Sequence, residues 1–395
     1  MKNLTYIVLF IAAQIFGQQD YKGRIVDSQS GVPIPYVNIG VFEKEIGTVS
    51  DEEGIFHLPL NNSRLLPSDN IIFSSLGYQT ITIAVSEVEL VYNEYPVIKM
   101  TPTNLQLEGV VVSDKANYMM PETVGYSNRG EEVYGYWKDN IALGGELGTK
   151  VVVRSGLRRL DNFVFEVWHN PSDSLLLRVN IYDDDGSLSR PKTNLNKSGQ
   201  NILYTLGKNE RMVSVDLKPY DVYVDNDFII SLELLKVYGD EEVGLVLAAV
   251  KDISKERMQL ERQGWTTVSN DGHGSYRKYA SQGKWERITD LNMAYTVESS
   301  LLVDEREFER FKRKKEKTIA KKRFVTGFAI VKGKMIAGVK IFNHRTKQST
   351  LTDKRGRFSI AANKNDLISF TKKGYEPVRY KINTKPTLNV KLTPL

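Results

Sequence analysis

Two segments near the two ends of this chain repeat one another at matched spacing, and the repeat restricts the fold more than any other feature. Val37 and Asp51, like Val339 and Asp353, stand 14 positions apart, and Asp-x-x-Gly-x-Phe follows both times, as Asp51, Gly54, Phe56 and as Asp353, Gly356, Phe358. The order continues around these turns. Gly23, Ile39, Leu58, Ile71, Phe73, Gly77, Tyr78, Met100, Thr101 and Pro102 in the first segment answer to Gly327, Ile341, Ile360, Ile368, Phe370, Gly374, Tyr375, Leu392, Thr393 and Pro394 in the second. An Asp at the head of such a turn accepts bonds from turn amides, and Gly suits the last position. Phe56 with Leu58, and Phe358 with Ile360, then alternate onto one buried face. Each segment predicts a small antiparallel sandwich of about seven short strands.

These residues resemble the carboxypeptidase regulatory-like domain, a transthyretin-like β-sandwich common in exported proteins of Bacteroidetes. The shared pattern is Gly-x-Ile/Val, Val-x-Ile, Thr-x-x-Asp-x-x-Gly-x-Phe and the late Gly-Tyr, with Thr48 and Thr350 three residues before their Asp. The resemblance covers 19–105 and 324–395, and the second copy departs at Gly327-Phe328-Ala329, which approaches Val339 more closely. It implies a module that accompanies something else and carries no catalytic residues. Asp51, Gly54, Gly77, Asp353, Gly356 and Gly374 are accordingly expected as structural turns. The run Leu-Gln-Leu-Glu-Gly-Val-Val-Val at 105–112 looks like the segment joining such a domain to the plug of TonB-dependent receptors. A receptor would need several hundred further residues for its barrel, so a linker strand is expected instead.

Between these copies, 117–302 alternates short apolar runs with polar turns. Strands are expected at 151–153, 163–168, 175–182, 212–217, 228–237, 243–250, 276–279, 285–288 and 293–297, with one helix at 252–262. Such a series fits a two-sheet jelly roll, and the region is similar to one that follows the regulatory-like domain in other exported proteins. The fold class expected is all-β: two small transthyretin-like β-sandwiches flanking a central jelly-roll-like β-sandwich, with a charged helical linker at 303–323.

Residues 1–18 read as a signal peptide, with Lys2 followed by a mostly apolar stretch and a small Gly17. About 20 apolar residues are needed to cross a bilayer, so cleavage is expected and no integral membrane span after it. The compartments implied are the periplasm, the outer membrane surface or the medium.

The inventory of reactive side chains is short. There is no cysteine, which removes thiolate catalysis, disulfides and thiolate metal sites together. None of the four histidines, His57, His169, His273 and His344, has Glu three residues on, so the zinc motif of a carboxypeptidase is absent. Gly144-Gly145 precedes a strand and reads as a turn, whereas a phosphate loop opens a helix. No cofactor is expected. Asp183, Asp184 and Asp185 place three carboxylates on one loop and could hold calcium, although the EF-hand spacing is not met and a solvated hairpin tip is the plainer reading. Trp137, Trp168, Trp265 and Trp285, with Tyr134 and Tyr136, could form a sugar-stacking surface; aromatic residues in a jelly roll are more often core.

Charge is unevenly placed. Residues 304–395 hold 25 Lys or Arg and eight acids, a net of +17, which leaves −11 on the first 303 residues of a chain whose total is +6. Nucleic acid is a poor partner for an exported chain. An anionic envelope surface, or the chain's own acidic part, is a better one. The leading expectation is a non-catalytic exported binding or structural protein of the cell envelope, with an envelope protein or glycan as partner. A carbohydrate-binding module and an uncharacterised hydrolase in the jelly roll are the alternatives.

Overall fold

The fold was examined in a computed structural model, which describes residues 20–60, 65–88, 90–91, 97–103, 118–128, 133–137, 142–239, 243–251, 274–289, 291–320, 323–383 and 387–395. The signal-like segment, the run at 105–112, the helix expected at 252–262, Trp265 and His273 lie outside the described residues. As the alternating patterns require, the protein is nearly all β, with one helix longer than a single turn among the described residues. It divides into two compact units, Met1–Asp304 and Glu305–Leu395.

The first unit opens with a sandwich of seven strands: β1 Asp20–Asp27, β2 Asn38–Val41, β3 Gly47–Val49, β4 Ile55–Pro59, β5 Asn70–Ser74, β6 Ile81–Ala84 and β7 Val97–Met100. They form two sheets, β4-β1-β7 and β3-β2-β5-β6, with β7 parallel to β1. Ile25, Val37, Ile39, Phe56, Leu58, Ile71 and Met100 fill the space between. Asp51 Oδ1 accepts from the amides of Glu53 and Ile55, and Gly54 turns through φ +72°, where a side chain would meet the Ile25 carbonyl at 2.4 Å. Gly77 is likewise left-handed, and Tyr78 packs on the core while donating to Asp27.

The rest of this unit is a larger two-sheet sandwich. Its strands are β8 Tyr118–Gly125, β9 Val133–Tyr136, β10 Glu146–Val151, β11 Arg158–His169, β12 Ser174–Tyr182, β13 Ile202–Gly207, β14 Met212–Asp216, β15 Tyr223–Val224, β16 Phe228–Tyr238, β17 Val246–Lys251, β18 Ser275–Lys278, β19 Glu286–Ile288, β20 Leu291–Met293 and β21 Thr296–Val303. One sheet has the order β13-β12-β16-β10-β18-β19; the other runs β20-β17-β11-β21-β8, with β14 and β15 on β11 and β9 on β17. The expected strand at 151–153 in fact ends at Val151 and begins at Glu146, because Gly144, at φ +80°, turns the chain into it. Strands β8, β9 and β13 went unread in the sequence.

The second unit starts with helix α1, Glu305–Ala320, whose first turn carries Glu305 and Glu307 against the positive helix end. A sandwich follows: β22 Phe324–Val331, β23 Lys334–Met335, β24 Lys340–Asn343, β25 Ser349–Leu351, β26 Arg357–Ala361, β27 Leu367–Thr371, β28 Val378–Lys381 and β29 Val390–Lys391. Its sheets, β23-β22-β26 with β29 on β22 and β25-β24-β27-β28, reproduce those of the first copy, including the parallel closing strand. Asp353 Oδ1 accepts from the amides of Arg355 and Arg357, and Gly356 and Gly374 are left-handed at +71° and +84°. One pair of equivalent residues went unread. The hydroxyl before each turn Asp, Ser50 or Thr352, accepts from the amide of Val37 or Val339 and donates to the carbonyl of Ile34 or Ile336, tying strand entry to the turn.

Register makes the copies comparable residue by residue. Asn38 pairs with Val49 and Ser74, and Gly40 with Gly47 and Ile72; in the second copy Lys340 pairs with Leu351 and Thr371, and Phe342 with Ser349 and Ser369. The outward positions of the four-stranded sheet have thus been rebuilt.

Candidate functional site

The first sandwich docks its four-stranded sheet on the outer face of the β13-β12-β16-β10-β18-β19 sheet, and a polar cleft lies beside this junction. Alternation along β12 and β16 explains the junction. Leu175, Leu177, Val179, Leu232 and Leu234 face the sandwich core, which turns Leu176, Arg178, Asn180, Glu233 and Leu235 outward. Leu176 and Leu235 meet Val49 of the first sandwich. The finger between β18 and β19 presses on the same sheet. Ser281 O lies where a Cβ on Gly40 or Gly47 would sit, at 2.1 and 2.3 Å, while Gln282 donates to Ser74 Oγ and its carbonyl accepts from the Glu43 amide.

At the base lies a buried ionic layer. Arg178 Nε donates to Glu233 at 2.7 Å, and its two terminal nitrogens reach Tyr36 O, Asn38 Oδ1 and Asn201 Oδ1 at 2.9, 2.9 and 3.3 Å. Four of the five guanidinium donors are therefore engaged. Asn180 adds a donor to Glu233 at 2.8 Å. One pair along, Lys278 donates to Glu146 at 2.5 Å, with Ser231 and Tyr182 as further donors. Burial raises the Glu146 carboxyl, with Lys278 pulling the other way, whereas for Glu233 the same burial is outweighed by Arg178 and the carboxyl is lowered. Burial and the neighbouring Glu146 and Glu233 charges push the Tyr182 phenol well above its ordinary range.

Above this layer is a cleft of about 450 Å³. One wall comes from the first sandwich, with Asn38, Ser74, Ser75, Thr80 and Thr103; the other comes from β12 and the loop after it, with Asn180, Thr193, Asn194, Asn196 and Asn201, and with Lys192 and Lys197 exposed. Amides and hydroxyls dominate. Both acids of the ionic layer, Glu146 and Glu233, have no accessible surface. Such a lining can hold a polar ligand by several neutral hydrogen bonds.

The residues singled out in the sequence fall elsewhere. Trp137 is 1% exposed and belongs to the core, so it cannot stack on a ligand. Trp168 lies half-buried against Tyr134 on the eight-stranded sheet, ring centroids 6.1 Å apart, while Trp285 packs under Lys278 and against Tyr182 on the other sheet. The described tryptophans do not converge: Trp137 is in the core, and Trp168 and Trp285 lie on different sheets. The three aspartates also separate: Asp184 takes Lys150 at 2.5 Å, Asp185 takes Thr193, and Asp183 caps the Asp184 amide. No group of three His, Asp or Glu among the described residues could hold a metal. The Asn-rich stretch Asn194, Asn196 and Asn201 was the missed signal.

Among solved structures, the chain is similar to the cysteine protease and lectin-like domains of Cwp84, a surface layer associated protein of Clostridium difficile, at 12% identity and a TM-score of 0.28. That match covers 72% of this chain and 63% of the other, less than two thirds of its length. BcpA, the major pilin subunit of Bacillus cereus, matches at 10% identity and a TM-score of 0.14 over 94% of this chain and 98% of that one. Carbohydrate-binding modules of the β-sandwich superfamily match at 10% and 0.18 over 58% and 94%. At these scores the likenesses carry no argument. No curated protein matches significantly. The family model described as the CarboxypepD_reg-like domain matches residues 21–112, so the wall of the cleft that carries Asn38, Ser74 and Thr80 belongs to a domain of that family.

Proposed function

We propose that this chain is a non-catalytic, exported binding protein of the cell envelope, in which the regulatory-like sandwich and the jelly roll form one binding head. The cleft between them takes a neutral, hydroxyl-rich ligand such as a segment of glycan. One observation carries this reading: Arg178 is committed to internal partners and no Asp or Glu among the described residues lines the cleft, so apart from the exposed Lys192 and Lys197 it offers amides and hydroxyls. Several neutral hydrogen bonds from strand and loop residues give selectivity for hydroxyl patterns without turnover. The hydrolase alternative would need reachable convergent carboxylates, and no Asp or Glu stands among the described residues that line the cleft.

The test is a titration of the mature protein with neutral and acidic oligosaccharide panels, read by calorimetry and by the ligand-induced rise in Tm. Thr80→Val and Thr103→Val keep shape while removing two wall hydroxyls, and together they should weaken binding roughly tenfold. Binding unaffected by both changes, or confined to acidic sugars, refutes the proposal. Export is tested separately: the mature chain from envelope fractions should begin after residue 18.

A further inference from the structure

We propose that the outer face of the β25-β24-β27-β28 sheet is a docking surface for a second copy of this chain, whose occupant is the outer face of the partner's β11-β14-β21-β8 layer. This inference is independent of the cleft.

The first argument comes from the repeat. The equivalent face of the first copy is a protein-docking face, with Asn38 accepting from Arg178 and Gly40 and Gly47 closed against Ser281 O. In the second copy Lys340 stands in place of Asn38, Phe342 in place of Gly40 and Leu351 in place of Val49. A lysine can only donate, so the surface that meets this face presents carboxylates where the first copy met a guanidinium. Across the strands, Arg379 stands beside Ser369 and Lys381 beside Leu367, and no Asp or Glu occupies an outward position of these four strands. Lys340, Arg379, Lys381, Leu351 and Leu367 are exposed, and Phe342 is half-buried. The face is cationic and partly apolar.

The second argument is an opposite face of the same kind. On the eight-stranded sheet, register sets Asp216, Asn162 and Glu298 in one row across β14, β11 and β21, with Glu166 further along β11. Met212, Val164 and the Trp168–Tyr134 pair supply apolar surface beside these acids. From Asn162 to Trp168 on β11, and on β14, β21 and β8, no Lys or Arg is present. A flat sheet face with three acids and exposed apolar groups thus complements one with three cations and exposed apolar groups. It does so within a chain that places +17 on residues 304–395 and −11 on the remainder. Because the two faces differ, the contact is heterologous: each copy keeps one face open, and assembly runs head to tail.

Sedimentation velocity of the mature full chain over a concentration series decides the matter. Reversible association is expected at low salt, weakening steeply as the Debye length falls from about 10 Å at 0.1 M to about 3 Å at 1 M. A variant with Lys340→Glu, Arg379→Glu and Lys381→Glu, and a second with Glu166→Lys, Asp216→Lys and Glu298→Lys, should each associate at least roughly tenfold more weakly. Their equimolar mixture should associate again, because each variant retains the face the other has lost. Recovery in the mixture also shows that both variants are folded, which melting curves check independently. A wild-type chain that stays monomeric at low salt overturns the proposal, as does association that survives in both variants. Binding to anionic phospholipid vesicles without self-association overturns it too, since the occupant is then a membrane.

Discussion

Replacing Gly40 by alanine tests the docking of the first sandwich on the jelly roll with a single methyl group. A Cβ at this position would lie 2.1 Å from Ser281 O and 2.9 Å from the Ser281 carbonyl carbon, where ordinary contacts begin at 3.4 Å. The finger must withdraw by more than about 1 Å, and overpacking of this kind costs about 1–3 kcal/mol. The sandwich itself should not suffer. Gly40 has no left-handed backbone to lose, and Phe342 at the equivalent position shows that the fold accommodates a large outward side chain there. Withdrawal also loosens the packing of Val49, Leu176 and Leu235, each worth about 1.5–3 kcal/mol when fully buried. For a unit of this size 1 kcal/mol moves Tm by about 2–4 °C, so calorimetry of the full chain should show a drop of roughly 2–10 °C in the transition of the first unit. The transition of the second unit should not move. Phe342→Ala is the mirror control and should affect only the latter. If Gly40→Ala leaves the first transition within 1 °C of wild type, the close approach of Ser281 O is not a constraint and the rigid-head argument fails.

Four further outcomes are expected. Gly54→Val and Gly356→Val should each destabilise their own sandwich by about 1–3 kcal/mol, since both turns are left-handed, and a melt that shifts both units together would contradict the repeat reading. Glu233→Gln should cost about 3–5 kcal/mol by leaving the buried Arg178 charge without its carboxylate, an outcome read by urea unfolding and refuted by an unchanged midpoint. Asp366 is held at about 2 against an ordinary 3.8: burial would raise it, but Arg345 and the Asn363 amide lower it further. A depressed carboxyl contributes stability above its unfolded value and loses it as pH falls, so the second unit should lose about 2 kcal/mol between pH 3.8 and 2; Asp366→Asn should abolish that dependence. Finally, ester, peptide and glycoside panels should show no turnover that repurification fails to remove.

The two sandwiches were legible because a turn demands particular residues at set spacing. Asp51 with Gly54 and Asp353 with Gly356 satisfy backbone geometry that other residues fit poorly, so the pattern survives where surrounding residues diverge. The jelly roll was legible as a class, since Leu175 to Ile181 and Phe228 to Leu234 are apolar on the core side, but β8, with Pro121 inside it and few residues buried, does not stand out. The cleft was not legible. Its walls come from residues far apart in the chain, and Asn and Thr mark loops and binding surfaces alike. The tryptophans misled for a related reason: Trp137 and Trp168 are equally aromatic in sequence, and only the tertiary fold buries one in the core and leaves the other half-exposed.

The finger that closes on the first sandwich has a bearing on how the chain is made. Ser74 and Gln282, joined by a hydrogen bond, are 208 residues apart. A ribosome adding about 5–20 residues per second needs roughly 10–40 s to bridge that interval. The first sandwich can close as soon as β7 has paired with β1, and β12 and β16 can then cover Val49, but its Gly40–Gly47 groove waits uncovered until β18 and β19 emerge. For that time the newborn chain carries an open groove of bare sheet backbone at Gly40 and Gly47. Holding that groove apart from other nascent chains is a task for a chaperone rather than for the fold.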